Sequence, residues 1–274
     1  MSSKKSTDWI PLFQAIAKEI RNSARPLIGT PRAKEVTGLG AGGDVTRRID
    51  ALAEEIIIRN LRESGTPCIL ISEECGSMRI GESPSEYVVV DSVDGTTNAT
   101  HNIPFYATSL ASADGPRLRS IKAGLVMDLH HGTTFSAERG KGAFSEGKRR
   151  LRPSRVGRVE EALIALDFNA PRDPTFIHRL VPLLERGRKF RHFGANALEV
   201  CYVASGAIDA FVDIRGWLRV TDMAAAYLVL REAGGVVVTP EGDELDGRLR
   251  TEERLSFVAA SNPRLCGEIL RLLS

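Results

Sequence analysis

The sequence has no excess of charge of either sign: 37 Lys and Arg stand against 35 Asp and Glu, for a formal net charge of +2 over 274 residues. There is no basic stripe and no acidic tail, so a nucleic-acid partner has no electrostatic footprint here. No apolar run approaches the roughly 18 residues that suggest a membrane span, and no membrane partner is expected. Cysteine is scarce. Cys68, Cys75, Cys201 and Cys266 show neither CxxC spacing nor the density of a disulfide scaffold, so reduced, mostly buried thiols in a cytoplasm are expected. Aromatic residues make up only 6% of the chain, which argues against a large aromatic-lined nucleotide pocket. Neither a GxSxG elbow nor a GxxxxGK[ST] loop is present, which excludes the usual acyl hydrolases and nucleoside triphosphatases. His101, His130, His131, His178 and His192 make no ligand spacing with the cysteines, and structural or surface roles are expected for them.

What remains is ordinary globular composition, 42% hydrophobic and 26% charged, in a chain long enough for one large domain or two lobes sharing a core. The polar opening residues and the lack of a long apolar segment read as a soluble, unsecreted protein working on small molecules. Trp9, Ile10, Phe13, Ile16, Ala17 and Ile20 recur at three- and four-residue spacing and predict an amphipathic helix ending before Pro26. The Gly- and Pro-containing residues 30–43 read as a mobile loop. A long helix over residues 45–63 follows, with Ile49, Leu52, Ile56 and Leu61 inward. Short apolar runs at 68–71 and 87–90 predict strands that run straight into acids. Residues 105–144 read as antiparallel strands and turns. From Leu163 onward strands and helices alternate, with helices near 177–184, from Asn196, from Thr221 to the Gly234 pair, and from Pro263. Gly past a last turn and Pro near a first turn match normal helix-end chemistry. No internal repeat or linker separates the lobes, placed at 1–154 and 155–274.

Four segments carry the chemistry: Gly42-Gly43-Asp44-Val45-Thr46, Ser72-Glu73-Glu74-Cys75, Asp91-Ser92-Val93-Asp94-Gly95-Thr96-Thr97-Asn98 and Thr221-Asp222-Met223. Two of them place acids at the C-terminal end of an apolar strand, where side chains leave the core for a crevice. If Glu73, Asp91, Asp94 and Asp222 converge, each like-charge pair is unfavourable by about 2 to 4 kcal/mol at an effective dielectric near 20. Such a gathering needs cations, and oxygen-only ligands select hard ions such as Mg²⁺. Gly95 permits close backbone approach of an anion, and a helix opening at Thr96 would aim free N–H groups at it. The Thr96 hydroxyl could orient a water, and Asp44, at the end of the mobile loop, could accept its proton. Each feature alone has a plainer reading: adjacent acids are usually a solvated loop, and Asp222 could be a helix cap. Gly38, Gly40 and Gly43 also spell GxGxxG, but no convincing strand precedes them, which is a poor context for a dinucleotide site.

The segments SEECG, DSVDGTTNAT and TDMAAAYLVLREAGG together resemble the inositol monophosphatase superfamily, over about residues 8–274 and in the family's order. The resemblance implies a layered αβαβα sandwich of the α+β class, often a homodimer, and a phosphatase acting on a small phosphate ester such as inositol 1-phosphate or fructose 1,6-bisphosphate. It implies that Glu73, Asp91, the Val93 carbonyl, Asp94 and Asp222 bind two or three Mg²⁺ ions, and that Asp44, Glu74 and Thr96 help activate the attacking water. Substrate contacts would come from Asp94, Gly95, Thr96, Arg191, Asn196, Asp213 and Arg215. Arg191 and Arg215 could hold a second phosphate, or they are surface or interface arginines in an arginine-rich chain. Three departures stand out: Ser92 for the usual Pro, Ala99 for the aromatic after Asn98, and Thr221 for the Trp before the metal-binding Asp. Rival readings are a phosphatase of a phosphorylated nucleotide, including NADP, and a non-catalytic relative. The latter should have lost ligands, whereas every expected acid is present.

Overall fold

The computed structural model describes residues 7–169 and 175–274. The first helix, α1 (Trp9–Ala24), is buried along Trp9, Phe13, Ile16, Ala17 and Ile20, the stripe its spacing predicts. Residues 30–43 depart from expectation. They form a 3₁₀ turn (Pro31–Lys34) and the strand β1 (Val36–Leu39), which pairs antiparallel with β2 (Val45–Arg47) in a two-stranded hairpin. The helix expected from residue 45 therefore starts later, as α2 (Arg48–Glu63), where Asp50 accepts from the Arg47 amide and closes a capping box. The hairpin is hidden from pattern reading because its apolar side chains face outward: Val36 and Leu39 are 66% and 76% exposed. The GxGxxG spacing falls within this hairpin and leads into β2.

An eight-stranded sheet follows. It comprises β3 (Cys68–Ser72), β4 (Gly76–Ile80), β5 (Glu86–Asp94), β6 (Ala107–Ala113), β7 (Ile121–Asp128), β8 (Thr134–Glu138), β9 (Gly142–Ser145) and β10 (Arg149–Arg150), in the order β10-β9-β8-β7-β6-β5-β3-β4. A short helix, α3 (Thr96–Thr100), interrupts the chain after β5. Strand β4 alternates Gly76, Met78 and Ile80 inward with Ser77 and Arg79 outward, a pattern too short to mark a strand by itself. The second sheet takes β11 (Leu163–Leu166), β12 (Lys189–Arg191), β13 (Ala210–Arg219), β14 (Val236–Val238) and β15 (Arg254–Ala260), in the order β12-β11-β13-β15-β14. Its helices are α4 (Phe176–Arg186), α5 (Asn196–Ser205), α6 (Val220–Ala233) and α7 (Pro263–Leu273).

Period-two alternation sorts the strand residues into layers. Leu70, Val88 and Val90 pack outward with α1 and α2, whereas Ile71 and Val89 face the middle, where α5 and α6 lie. On β13, Phe211 joins the middle core while Ala210, Val212 and Ile214 pack with α4 and α7. The result is the five-layer αβαβα sandwich. The middle layer is apolar almost all round: in α6 every residue from Val220 to Leu230 is buried. Each large side chain buried this way contributes about 1.5–3 kcal/mol. Gly124 of β7 shows how tight the contact is, since a Cβ there would lie 2.9 Å from the Ala225 carbonyl oxygen of α6. The four cysteines are unpaired, three buried and Cys75 half-buried, as expected.

Candidate active site

Strands β3 and β5 are parallel neighbours, with Ser72 opposite Val90. Their C-terminal ends therefore deliver Glu73 and Asp91 side by side at one edge of the sheet, the crevice position where open sheets build sites. The pairing of β5 with β6 then slips, Asp91 facing Ser109 and Asp94 facing Ala107. One extra residue in β5 makes a bulge, and such a bulge re-aims the side chains that follow. Gly95 comes next with φ of +82°. It is required twice over, by that left-handed backbone and by space, because a Cβ would meet the carbonyl oxygens of Gly194 and Phe105 at 3.1 Å.

Asp94 bridges the two sheets: its carboxylate accepts from the amides of Asn196 and Ala197 at 2.8 Å and of Leu198 at 3.3 Å, capping α5. Asn98 ties the same turn down, donating to the carbonyls of Phe105 and Phe193 at 2.8 and 2.7 Å. Asp222 arrives on the first turn of α6, held by the Arg219 amide at 3.2 Å and the Thr221 hydroxyl at 2.9 Å. Thr221, standing where the family has Trp, thus orients the acid that follows it.

These acids are buried and they repel one another. Glu73 is pushed up to about 8 by burial and then by Asp222, and Asp94 to about 7 by the same two causes. Burial, then Asp222, Glu73 and Asp94 in turn, raise Asp91 well above the carboxylate range. Burial also raises Asp222, although Arg219 and Thr221 pull it back. The expected convergence of three chain segments is therefore present. Among the described residues no three His, Cys, Asp or Glu side chains form a finished metal cage. Asp94 is turned to the α5 amides, and Glu73 accepts from Arg219 Nη1 at 3.0 Å. The donor set nevertheless suits a hard divalent cation: oxygen atoms only, with more negative charge than one guanidinium offsets.

Asp44 lines the cavity, as its place at the end of residues 30–43 implies, but it makes no hydrogen bond to Thr96 among the described residues. Its side chain is 66% exposed and paired with Arg219. The acid at Thr96 is Asp50, six residues later, whose Oδ1 accepts from Thr96 Oγ1 at 2.8 Å. Burial pushes Asp50 up to about 7, while the Thr96 hydrogen bond opposes the shift. The sequence pattern does not single out Asp50: a helix expected from residue 45 puts it in the second turn, and only the observed start at Arg48 puts it in the first. Glu74 accepts from the Thr46 hydroxyl, and burial raises it too. A cavity of about 730 Å³ opens over these groups, lined by Asp44, Asp50, Glu73, Gly95, Thr96 and Arg219 on one side and by Asn169, His192 and Phe193 on the other. His192 was expected in a structural or surface role. It lines the cavity, with Nδ1 3.1 Å from the Leu166 carbonyl oxygen and Nε2 3.2 Å from Asn169 Nδ2.

The second-sheet residues divide. Asn196 reaches the site through its amide on Asp94. Arg191 is exposed and donates to its neighbour's carbonyl, Phe190 O, at 2.8 Å. Arg215 is nearly buried and engaged: it donates to both oxygens of Asp213, at 2.9 and 2.6 Å, to the Asn169 carbonyl at 2.8 Å, and pairs with Asp167 at 2.8 Å. Neither arginine lines the cavity.

A layered sandwich with a phosphate-sized turn beside a buried acid cluster is the architecture of the sugar phosphatases. The inositol monophosphatase family profile matches residues 10–274, and the chain belongs to that family. Membership makes it a phosphoric monoester hydrolase. It is 37% identical to a fructose-1,6-bisphosphatase/inositol-1-monophosphatase of Methanothermobacter thermautotrophicus, over 97% of this chain and 96% of that one. It is also 35% identical to a bifunctional NADP phosphatase/NAD kinase of Methanococcus maripaludis, over 93% of this chain but 47% of that longer protein. A solved inositol monophosphatase–fructose 1,6-bisphosphatase superposes with a TM-score of 0.85 at 29% identity, covering 97% of this chain and all of that one.

Proposed function

We propose that this chain is a Mg²⁺-dependent phosphatase of a small phosphorylated polyol or sugar, inositol 1-phosphate and fructose 1,6-bisphosphate being the candidates. It would work in the cytoplasm as a homodimer with two or three Mg²⁺ ions per site. The carrying observation is the group of buried, mutually repelling acids beside the Asp94-Gly95-Thr96 turn. Residues 1–154 would supply Glu73, Asp91, the Val93 carbonyl and Asp94 as ligands, and residues 155–274 would supply Asp222 and the groups that select substrate. Mg²⁺ brings Lewis-acid polarisation of the phosphoryl oxygens and acidifies water.

The chain's own residues manage the proton. Thr96 Oγ1 donates to Asp50 Oδ1, which leaves its oxygen lone pairs to accept from an attacking water. Asp50, titrating at about 7, then takes the proton through Thr96. Glu74, held by the Thr46 hydroxyl, is assigned to supporting the water. Asp44 is assigned to the hairpin rather than to proton transfer. Gly95 and Thr96 cradle the phosphate, Asn196 holds Asp94, and Arg215, fixed by Asp213, supports the cavity residue Asn169 from behind. No protein nucleophile is assigned, and attack is direct and in line.

The deciding assay is phosphate release from inositol 1-phosphate, fructose 1,6-bisphosphate and NADP, each with and without Mg²⁺. Release from either of the first two only with Mg²⁺, with inversion at a chiral phosphate, is the expected result; a trapped phosphoenzyme would falsify direct attack. A second reading, hydrolysis of the NADP 2′-phosphate, is supported by the Methanococcus maripaludis relative and by Phe193 and half-exposed Ile103 in the cavity lining, an apolar face on which a base could rest. The NADP arm of the assay tests it.

A further inference from the structure

Arg219 touches more of the site's separate segments than any acid does. It lies at the end of β13, three residues before Asp222, and its backbone amide donates to Asp222 Oδ2 at 3.2 Å. Its Nη1 donates to Glu73 Oε2 at 3.0 Å, after β3. Its Nη2 donates to the Gly42 carbonyl at 3.3 Å and pairs with Asp44, both on the turn that joins β1 to β2. The guanidinium lies flat against that turn, because a Cβ on Gly42 would come within 2.9 Å of Arg219 Nε. The turn is docked from below as well: the amides of Ala41 and Gly42 donate to the carbonyls of Glu74 and Glu73 at 3.0 and 2.8 Å. A Cβ on Gly40 would strike the Glu73 carbonyl oxygen at 2.9 Å.

The guanidinium therefore does two jobs from one place. It is the cation offsetting Glu73 and Asp222, and it is the clamp that seats the hairpin. Its side chain is 12% exposed while Asp44, its outer partner, is 66% exposed. The inner end of the contact is buried and the outer end faces solvent. A divalent ion and the guanidinium both seek the oxygens of Glu73, so they compete for one carboxylate.

We propose that Arg219 is a positioning residue that acts as a built-in counter-ion: it competes with the divalent cation for Glu73 and, through Gly42 and Asp44, couples cation binding to the seating of the β1–β2 hairpin. The proposal rests on the assignment of Glu73 and Asp222 to the cation site. By linkage, whatever strengthens the hold of Arg219 on Glu73 weakens the cation to the same degree, and the reverse.

The test is calorimetric titration with Mg²⁺ alone, paired with amide hydrogen exchange over residues 36–47. Arg219→Gln removes the competing charge and is expected to tighten Mg²⁺ binding about tenfold. Arg219→Lys keeps a charge but loses the planar fork, so Mg²⁺ affinity should stay within about twofold while hairpin exchange accelerates. Asp44→Asn, at an exposed position that the fold tolerates, leaves the guanidinium to lean on Glu73 and should weaken Mg²⁺ severalfold. In the unaltered protein, adding Mg²⁺ should change protection at the amides of 40–44. Equal or weaker Mg²⁺ binding in Arg219→Gln overturns the proposal, as does unchanged binding in Asp44→Asn should the first variant not fold. Failure of the unaltered protein to bind Mg²⁺ at all would instead overturn the proposed function.

Discussion

Two groups of buried carboxylates, one held at Arg215 and one beside Arg219, are built differently. Asp167 and Asp213 have side chains 4% and 0% exposed, and they share Arg215, itself 5% exposed, at 2.8 and 2.6 Å. Burial raises Asp167, but Arg215 is the first influence pulling it back. Among the acids of the other group, Glu73, Asp91, Asp94 and Asp222, one guanidinium makes a hydrogen bond, to Glu73, and its outer hand is given to Asp44, while Arg254 adds only a weaker pull on Asp222. Two buried acids bridged by one buried cation that is fully engaged between them are scaffold. Buried acids in excess of their cation store unfavourable energy, which a fold retains only where a ligand relieves it. The contrast also explains why Arg215 is a poor candidate for a second phosphate: its donors are already committed.

The comparison can be broken most sharply at Asp94. Asp94→Asn keeps an acceptor for the α5 amides but removes a charge from the cluster. Phosphate release is expected to fall about 10³-fold or more, the several kcal/mol of charge stabilisation that metal assistance supplies. Circular dichroism should report an intact fold, and turnover at the unaltered rate would remove Asp94 from the site. Next in size is Arg215→Gln, which would make the scaffold pair resemble the functional one. Leaving Asp167 and Asp213 without a cation should destabilise the protein by about 3–5 kcal/mol in denaturant unfolding, with no recovery on adding Mg²⁺. Recovery by Mg²⁺ would mean that the two clusters are not different in kind.

Thr96→Ala should lower kcat by about 10²-fold or more while moving KM little, since the hydroxyl serves proton transfer rather than binding. A change confined to KM would place Thr96 in substrate binding alone.

The smallest effect concerns pH. Asp50 and Asp94 titrate at about 7 and Glu73 at about 8 in the folded chain, all raised above the roughly 4 of free carboxyls. Between those limits the folded protein holds protons that the unfolded chain has released, so the metal-free protein loses stability as pH rises from about 4 to about 8. Mg²⁺ should therefore raise Tm more at about pH 8 than at about pH 5.5, where protons compete for its ligands. Equal gains at both pH values in melts with and without chelator would contradict the repulsion argument.

How far these features could be read from the sequence follows from what each residue has beside it. The acids at the ends of β3 and β5 were legible because an apolar run leading into an acid has few other uses, and the helices α1, α4 and α7 because one face is apolar and the other is not. The β1–β2 hairpin was not legible, since Val36, Leu39 and Val45 face solvent and leave no periodic burial to detect. With residues 30–43 read as a loose loop, Asp44 is the natural candidate beside Thr96, whereas the observed helix start places Asp50 on Thr96. The role of His192 was hidden for a related reason. Its place in the cavity wall depends on β12 running parallel to β11, a pairing between segments far apart in the chain that local patterning does not record.

The burial of α6 on both sides bears on how the molecule is made. All eight strands of the first sheet have been synthesised once Arg150 is added, yet α6, which rests on β5 through β9, is encoded some seventy residues later. Until it emerges, the inner face of that sheet has only the short helix α5 to cover it, against β5, β6 and β7. Asp222 travels on the first turn of the same helix, so the chain acquires its last acid and seals its interior in one event. A nascent polypeptide that stalls before that point would bare a sticky sheet and be inert, which makes the arrival of this single helix the checkpoint for both solubility and competence.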